Sequence, residues 1–561
     1  MLQIAENRLE KQDYLIMAAL FTAMLLLLSQ HWLRGHAEEF AGIFGDVTTT
    51  SADRVRAGDI PYRDFWTMYA PGSFYLLGLL FDIFGHHITV ASAASSAFFA
   101  AAACACYRLV LNLTDDRAAA IACAAIFAAA VYSTNYYLSL GPYPVVIFCI
   151  LLTLNLVVNY HRSGSLAALF AAGLVIGVSI VFKHDVGGYT AIAIVAGIVA
   201  RHFRQHGFTA DALGALAGHI MLFSVGAGIV FVPVAVYFAW LAGYDMWYDL
   251  IVFPATDFKF ARGEIYPGLL PGDLSHEWWL KSVFKFLDYL RYNVPLLVVF
   301  LVVVVSVYSI IRKKEINLPI LLTIGLLYLF HYTSAHVQIN TNIISMPLYA
   351  AILGSITLVS IGRQLKPRAE FFLRTVALGI AGVLFTAYFA QPVYGLLRGE
   401  TSETRLTLPG ISGITVTQEY HDVLEQLVEY VDEHVPPDKR LFIGLHRHDT
   451  VIVGDGKMYF ILNRLNATRQ DQLHPGIVDT ARVQQEMIRD LKKHDVRHII
   501  LRHVFKDDYL DKMREEWSVT LPNSGATDLD EYIRSNYTQV KVLGQYEIWR
   551  RNDDLPVAAG E

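Results

Sequence analysis

Long apolar runs separated by short polar turns fill the first 394 residues of the chain. A helix needs about 20 mostly apolar residues to cross a hydrocarbon layer about 30 Å thick. We predict eleven membrane-spanning helices from the length and low charge of these runs. They are residues 14–32, 88–111, 118–136, 143–160, 166–182, 187–203, 213–240, 293–311, 318–332, 342–361 and 371–394.

Residues 71–84 are also apolar, but they form a shorter run. A helix of this length rises only about 21 Å, which is too short to span the hydrocarbon layer. We therefore predict that this segment lies flat at the membrane surface.

Basic residues in the short loops test this assignment, because loops rich in Lys and Arg stay on the cytoplasmic side. If residues 71–84 do not cross, every strongly basic short loop lies on one side with the N-terminus. These loops contain Arg8 and Lys11, Arg117, Arg162, Arg201 and Arg204, Arg312 to Lys314, and Arg363 to Arg368. The first external loop (residues 34–87), the turn at residues 183–185 and everything after residue 394 are then extracytoplasmic.

The pattern changes at about residue 395. Amphipathic helical segments at residues 419–433 and 483–493 alternate with short strand-like runs that begin at Leu441, His498 and Tyr546. The predicted fold is thus a polytopic α-helical membrane protein with about eleven transmembrane helices plus interfacial helices. Residues 1–394 form its transmembrane domain, and residues 395–561 form a soluble α/β domain outside the membrane.

Composition agrees with a membrane protein: 54% of the residues are hydrophobic and 17% are charged, and the mean hydropathy is +0.39. The net charge of -6 and the confinement of basic residues to short loops argue against a nucleic-acid partner. All four cysteines lie within apolar runs, which argues against a disulfide framework or a cysteine metal site.

The first external loop gathers acidic and basic side chains that would be costly inside lipid. Asp46 follows the apolar sequence AGIFG, so it is expected close to the membrane face. Its carboxylate could act as a general base, or bind an acceptor or a metal ion. The alternative is a helix N-cap, since DVTTTSADRV is typical of a helix start. Asp53 and Asp64 lie further along the same loop, and Arg63 lies beside Asp64.

A second cluster, Lys183, His184 and Asp185, lies in the turn VFKHDVGGY between two apolar runs. Charge at the bilayer surface between spans is expensive and is usually functional. A lysine beside the N–H groups of a Gly-Gly turn would suit a lipid-attached phosphate. The alternative is a Lys183–Asp185 pair that neutralises itself.

Two further loops are predicted on the same face. One contains Arg262 and Glu264 among aromatic residues and prolines, and the other contains His336, which could instead be an interfacial hydrogen-bonding residue. The turn YLSLGPY supplies no second carboxylate, which argues against a two-carboxylate metal site. A divalent metal ion is compatible with the sequence but is not required by it.

The acidic first loop, the run AGDIPYRDFWTMYAPGSFYLLGLLFDIFG, the FKHDVGG turn, the histidine-bearing late turn and the segment MYFILNRLNATRQ together carry a resemblance. In these features the chain resembles bacterial polytopic glycosyltransferases of the GT-C superfamily. Within it, the chain is similar to the branch related to protein mannosyltransferases and aminoarabinose transferases. The family often has two adjacent acids at the catalytic position, whereas Asp46 stands between Gly45 and Val47, so Asp53 and Asp64 are possible substitutes.

The resemblance implies transfer of a sugar from a polyprenyl-phosphate donor to a glycan, lipid or protein acceptor on the outer face of a bacterial inner membrane. Asp46 would be the catalytic acid of the first loop. The donor phosphate would be bound by Lys183, His184, Arg262 and His336. Arg63, Asp64, Asp185 and Glu264 would support the site or contact the acceptor.

Two other classes of protein remain open at this point. A transporter or lipid-linked-glycan flippase would place polar residues near the bilayer midplane and often shows repeated halves. Here the polar residues cluster at one face and no repeat is visible. A structural membrane protein with a partner-binding outer domain would not need the charges at residues 183–185.

Overall fold

A computed structural model describes residues 9–34, 43–134, 139–256, 279–312, 317–335, 344–363, 367–397, 403–449, 454–473, 476–503 and 525–554. Each of the eleven predicted spans coincides with a helix. These helices are α1 (Lys11–Arg34), α4 (Ile88–Thr114), α5 (Arg117–Tyr132), α6 (Pro142–Ser163), α7 (Leu166–Phe182), α8 (His184–His206), α9 (Ala210–Ala242), α12 (Trp279–Ile311), α13 (Leu318–Ala335), α14 (Ser345–Gly362) and α15 (Pro367–Leu397).

Seven of these helices are at least 18 residues long and apolar enough to cross a membrane. The other four contain shorter apolar stretches, residues 117–132, 166–182, 318–334 and 374–389. The chain is therefore a polytopic helical membrane protein, as its hydrophobic pattern predicts.

Small residues bring two of the spanning helices into close contact. A Cβ atom on Gly173 of α7 would lie 2.2 Å from the carbonyl oxygen of Phe223 in α9, and one on Gly226 would lie 2.5 Å from the carbonyl oxygen of Phe170. Only glycine permits such an approach of two backbones. The GxxxG formed by Gly173 and Gly177 thus acts in helix packing.

Shorter helices gather at one end of the bundle. They are α2 (Ile43–Arg56), α3 (Gly72–Phe84), α10 (Tyr244–Trp247), a π-helical turn (Tyr248–Val252) and α11 (Phe253–Thr256). The predicted interfacial segment corresponds to α3, whose 13 residues are too few to span the membrane. Leu77 and Phe81 on one face of α3 are buried in a core shared with the C-terminal region, while Leu79 and Ile83 are exposed.

The C-terminal region contains a four-stranded sheet of β3 (Phe442–Leu445), β4 (His498–Arg502), β5 (Tyr537–Leu543) and β6 (Tyr546–Arg551). The strand order is β3-β4-β6-β5, with β3 and β4 parallel and the other pairs antiparallel. β1 (Glu403–Arg405) and β2 (Thr415–Thr417) form a separate antiparallel pair. The helices are α16 (Gln418–His434), α17 (Lys457–Ile461), α18 (Ala481–Lys493) and α19 (Asp528–Asn536).

The three predicted strands and two predicted helices of this region are confirmed as β3, β4, β6, α16 and α18. Strand β5 was not predicted from the sequence. All five of its interior residues are exposed, because β5 is an edge strand of the sheet.

Candidate active site

Arg54, in the last turn of α2, joins the first loop to the C-terminal region. Its guanidinium group is almost completely buried and donates hydrogen bonds to Asp59 Oδ2 (2.8 Å) and Asp471 Oδ1 (2.7 Å). It also donates to the carbonyl oxygens of Thr468 (2.9 Å) and Asp64 (2.8 Å). One side chain therefore holds α2, the loop after it and a segment more than 400 residues further along the chain.

Arg440, directly before β3, completes this contact. It donates to both carboxylate oxygens of Asp59, at 3.0 and 2.8 Å. Burial by itself would raise the pKa of Asp59, but the hydrogen bonds and charges of Arg440 and Arg54 outweigh it, so the pKa lies below its ordinary value. Burial dominates at Asp471, whose pKa is raised in spite of Arg54. We refer to Arg54, Asp59, Arg440 and Asp471 as the loop-locking network.

Asp46 lies in the first turn of α2, and the structure describes its backbone only. The helix begins at Ile43, so the backbone of Asp46 is already helical. An N-cap residue precedes its helix, and Asp46 therefore does not have that structural role. The next residue, Val47, packs in a small buried cluster with Phe65, Phe74 and Tyr69, which fixes this end of α2 against the start of α3.

Lys183 forms a sharp bend between two spanning helices. It ends α7 and immediately precedes α8, with an extended backbone (φ −153°, ψ 98°). The sequence predicted a Gly-Gly turn here, but in the structure Gly187 lies within the first turn of α8. A Cβ atom on Gly187 would lie 2.7 Å from atoms of Ile180, so the glycine instead lets α8 approach α7.

The Lys183 ammonium group donates to Asp185 Oδ2 at 2.9 Å and lies 5.4 Å from the centre of the Tyr143 ring. Lys183 is only 13% exposed, yet an ammonium group has three donors and Asp185 accepts one of them. The other carboxylate oxygen, Asp185 Oδ1, is buried and makes no hydrogen bond to a residue that the structure describes.

The start of α3 lies against this bend. A Cβ atom on Gly72 would lie 2.8 Å from the Phe182 ring and 2.9 Å from the carbonyl oxygen of Val181. The N-terminus of α3 thus lies against the last residues of α7, next to Lys183, after which α8 begins. Because the first N–H groups of a helix lack intrahelical partners and carry partial positive charge, this arrangement suits an anion.

Two further elements enclose the bend. Tyr189 of α8 stacks on Phe330 of α13 with ring centres 5.2 Å apart, and its hydroxyl group interacts with Ser334 near the end of α13. The His184 ring faces the carbonyl oxygen of Leu250 in the π-helical turn. Side chains from separate parts of the bundle therefore converge around residues 183–185.

Asp249 in the same π-helical turn is buried and accepts a hydrogen bond from Arg469 Nη2 at 3.0 Å. Burial raises the pKa of Asp249 to about 7, although the positive charge of Arg469 opposes the shift. Arg469 also donates to the carbonyl oxygen of Tyr62, and its own carbonyl oxygen accepts from Trp66 N (2.7 Å). The segment MYFILNRLNATRQ thus contributes to the site by holding the first loop.

The other predicted site residues fall into two groups. Asp64 pairs with its exposed neighbour Arg63 at 2.6 Å and accepts a hydrogen bond from Ile60 N (2.8 Å), so it stabilises its own turn. Arg262, Glu264 and His336 lie outside the described residues. Within the part of the chain that is described, no three His, Cys, Asp or Glu side chains are arranged to hold a metal ion.

Sequence reasoning missed Asp249, Arg469 and the loop-locking network. Asp249 had one local signal, an acid in the apolar stretch WYDLIVF shortly after a span. The network had none, because its members lie far apart in the chain and only the fold brings them together.

Comparisons with known proteins bear on the fold. Residues 69–237 match the family model described as dolichyl-phosphate-mannose-protein mannosyltransferase. No curated protein matches the chain in sequence.

Two solved proteins match almost the whole chain in structure. ArnT from Cupriavidus metallidurans, bound to undecaprenyl phosphate, is 14% identical with a TM-score of 0.53, and the match covers 95% of this chain and 97% of that chain. The archaeal oligosaccharyltransferase AglB from Archaeoglobus fulgidus, in complex with an inhibitory peptide and a dolichol-phosphate, is 11% identical with a TM-score of 0.50, covering 98% and 76%. The resemblance is confirmed, and the chain has the GT-C fold of these glycosyltransferases.

Proposed function

We propose that this protein is a membrane glycosyltransferase that moves a sugar from a polyprenyl-phosphate donor to a glycan, lipid or protein acceptor. The observation that carries the proposal is the position of Lys183 at the end of a bundle of apolar helices, directly before the N-terminus of α8 and next to the residues of α7 that contact the N-terminus of α3. A phosphate there would be at the membrane surface while its polyprenyl chain extended between the spanning helices. The solved ArnT and AglB structures contain lipid phosphates of this kind.

The donor phosphate is assigned to Lys183 and the N-terminal N–H groups of α3 and α8, with His184, Arg262 and His336 as further proposed contacts. Departure of the lipid phosphate leaves negative charge on its oxygens. Donors that are fixed in advance stabilise that charge more in the transition state than in the ground state. Asp185 would orient Lys183 by accepting one of its hydrogen bonds.

The reaction is a single displacement at the anomeric carbon. An acceptor hydroxyl oxygen forms the new bond to that carbon while the bond from the carbon to the phosphate oxygen breaks. The hydroxyl proton passes to the carboxylate of Asp46, and the electron pair leaves with the polyprenyl phosphate. Arg63, Asp64 and Glu264 are proposed to support the acceptor side of the site.

The proposed acceptor side is extracytoplasmic. The C-terminal region, with a proposed boundary near residue 395, lies at the same end of the bundle as α2, α3 and Lys183. Arg117, Arg201 and Arg363 of the short loops lie at the opposite end, where the positive-inside rule places the cytoplasm of a bacterial inner membrane. The C-terminal region would then cover the site and contribute to acceptor choice.

The decisive experiment incubates the purified full-length protein in lipid with a panel of polyprenyl-phosphate-linked hexoses and pentoses, using native membrane extract as acceptor. We expect turnover of one donor. Asp46→Asn should lower the turnover about 10²- to 10⁴-fold, as expected for the loss of a general base. Asp46→Asn should unfold at the wild-type temperature. Lys183→Met should weaken donor use and unfold at a lower temperature, because it leaves Asp185 without its ion-pair partner.

Asp82→Asn is the matched control, because Asp82 is an exposed carboxylate on α3 that pairs with Arg56. It should retain wild-type turnover. An undiminished rate in Asp46→Asn would remove that residue from the mechanism, and absence of turnover with every donor in the presence of a competent acceptor would contradict the proposed function.

A further inference from the structure

A second polar pocket lies at the end of the bundle opposite the C-terminal region. α8 begins beside Lys183 and runs 23 residues to His206, so its last turn is about 30 Å from the candidate active site. A cavity of about 200 Å³ opens there between the ends of α6 and α8 and the first turns of α9. Its polar lining consists of Tyr160, Arg201, His202, Gln205, His206 and His219.

Arg201 supplies a positive charge that no carboxylate balances within the described part of the chain. Its guanidinium group lies 4.6 Å from the centre of the Tyr160 ring, and Nη2 donates to the carbonyl oxygen of His161 at 3.1 Å. A guanidinium group has five N–H donors, so several remain for a ligand. The cavity lining contains no Asp or Glu side chain.

The buried side chain of His202 is a second observation that indicates a ligand. The residue is only 5% exposed, and its Nε2 atom is buried without a hydrogen bond to any residue that the structure describes. A buried polar atom without a partner is costly and is rare in native proteins. The His202 ring centre lies 4.8 Å from that of His206 and 6.0 Å from that of His219, so the imidazoles face one space.

The surroundings place this pocket at a membrane surface. Phe208, in the turn between α8 and α9, is 81% exposed and stacks on Phe203 with ring centres 4.0 Å apart. Leu166 at the start of α7 and Leu213 at the start of α9 are also exposed. Apolar side chains exposed at the ends of spanning helices are typical of the level at which lipid headgroups lie.

We propose that this pocket binds a phosphate group, carried either by an anionic phospholipid of the adjacent leaflet or by a soluble phosphate. A guanidinium group matches phosphate oxygens with paired N–H donors, and the imidazole, amide and phenol groups supply further hydrogen bonds. Basic pockets between spanning helices on the cytoplasmic side are suited to anionic headgroups. The assignment is independent of the proposed sugar transfer.

Two measurements on the full-length protein distinguish the sources. The first counts phosphatidylglycerol and phosphatidylcholine molecules that remain bound in native mass spectrometry after extraction from mixed vesicles. The second follows thermal unfolding of lipid-depleted protein during titration with inorganic phosphate. Each is made on the wild type, Arg201→Gln, Gln205→Glu and Arg204→Gln.

We expect the wild type to retain one phosphatidylglycerol molecule. Arg201→Gln should bind this lipid about tenfold more weakly, since the variant loses a charge-assisted hydrogen bond. Gln205→Glu should have a similar effect, because it adds a carboxylate to the pocket at an exposed, structurally tolerant position. Arg204→Gln removes the same charge from an exposed neighbour outside the cavity lining and should bind as the wild type does.

Stabilisation by inorganic phosphate that is lost in the same two variants, without selective lipid retention, would assign the pocket to a soluble phosphate. Equal binding in the wild type, Arg201→Gln and Gln205→Glu would overturn the proposal, as would the absence of both lipid retention and phosphate stabilisation in the wild type.

Discussion

The two ends of the helical bundle use arginine in different ways. At the end covered by the C-terminal region, Arg54 is 3% exposed and binds Asp59 and Asp471, which are 14% and 5% exposed. At the opposite end Arg117 is 39% exposed, and Arg363 donates to the carbonyl oxygen of Thr114 (2.6 Å), the last residue of α4. One end thus has a buried network that joins distant segments, and the other has partly exposed arginines near the ends of helices, of which Arg117 bonds the buried Asp13 of α1.

The difference follows from what each end has to hold. An arginine at a helix C-terminus satisfies a free carbonyl group and opposes the helix dipole, and it can do so while remaining in contact with water. The first loop has to be fixed against a segment more than 400 residues away. A buried ion pair holds the two segments in one geometry, because a displacement of either segment leaves a buried charge without its partner, which is costly in free energy.

The strongest test of this comparison is Arg54→Met. It leaves Asp59 and Asp471 without their shared partner, and loss of one member of a buried ion pair costs about 3–5 kcal/mol. We expect a large fall in the apparent melting temperature and a loss of sugar transfer, because α2 carries Asp46. Thermal unfolding and a turnover assay on the same preparation check both effects, and wild-type stability would show that the network does not hold the loop.

A double-mutant cycle on Asp59 and Arg440 measures the network more selectively. We expect a coupling of about 1–3 kcal/mol between Asp59→Asn and Arg440→Met, since the pair is largely buried and bonded through both carboxylate oxygens. The matched surface pair is Arg497 with Asp495, both about half exposed, for which less than about 1 kcal/mol is expected. Equal coupling energies in chemical denaturation would remove the distinction between the two pairs.

The stability of the end that contains the loop-locking network should depend on pH, because Asp249 lies there. Its pKa is about 7 in the folded protein, above the ordinary value of 3.8, so the folded state favours the protonated acid. The stability that depends on this proton is present at low pH and is lost as the pH rises from about 4 to about 7. Asp249→Asn should therefore become progressively more stable than the wild type across that window in thermal unfolding.

Arg469→Gln serves as the internal control for this prediction. Arg469 lowers the folded-state pKa of Asp249, so its removal should move the upper limit of the window to higher pH and leave the lower limit unchanged. A difference between Asp249→Asn and the wild type that stays constant from pH 4 to pH 7 would contradict the assignment.

The smallest effect is expected at the opposite end, from Arg117→Gln. Asp13 loses its ion pair but keeps hydrogen bonds from Tyr107 Oη (2.9 Å) and Glu10 N (2.8 Å). Because Asp13 is only 3% exposed, we expect a lower melting temperature, by less than in Arg54→Met since one carboxylate and not two loses its partner, and wild-type sugar transfer. A loss of activity comparable to that in Arg54→Met would show that the two ends are coupled more closely than their contacts indicate.

Much of the fold follows from local pattern. The eleven spans, the short α3 and the main strands of the C-terminal region were predicted from the length and period of hydrophobic runs. The bend at residues 183–185 was also located, since charge between two apolar runs is conspicuous. The shape of that bend was not predicted, because the role of Gly187 depends on how closely Ile180 of α7 approaches it.

The sequence by itself determined that this is a helical membrane protein with a C-terminal α/β region, and it singled out Asp46 and Lys183 as candidates. These conclusions depend on the pattern of residues that are close together in the chain and on the free-energy cost of placing charge in hydrocarbon. Only the tertiary structure decided that Arg54 and Asp471 meet, that Asp249 is buried beside Arg469, and that Arg201 and His202 face one cavity. Contacts between distant residues leave no periodic signal in the chain, because their spacing is set by the packing of whole helices and strands.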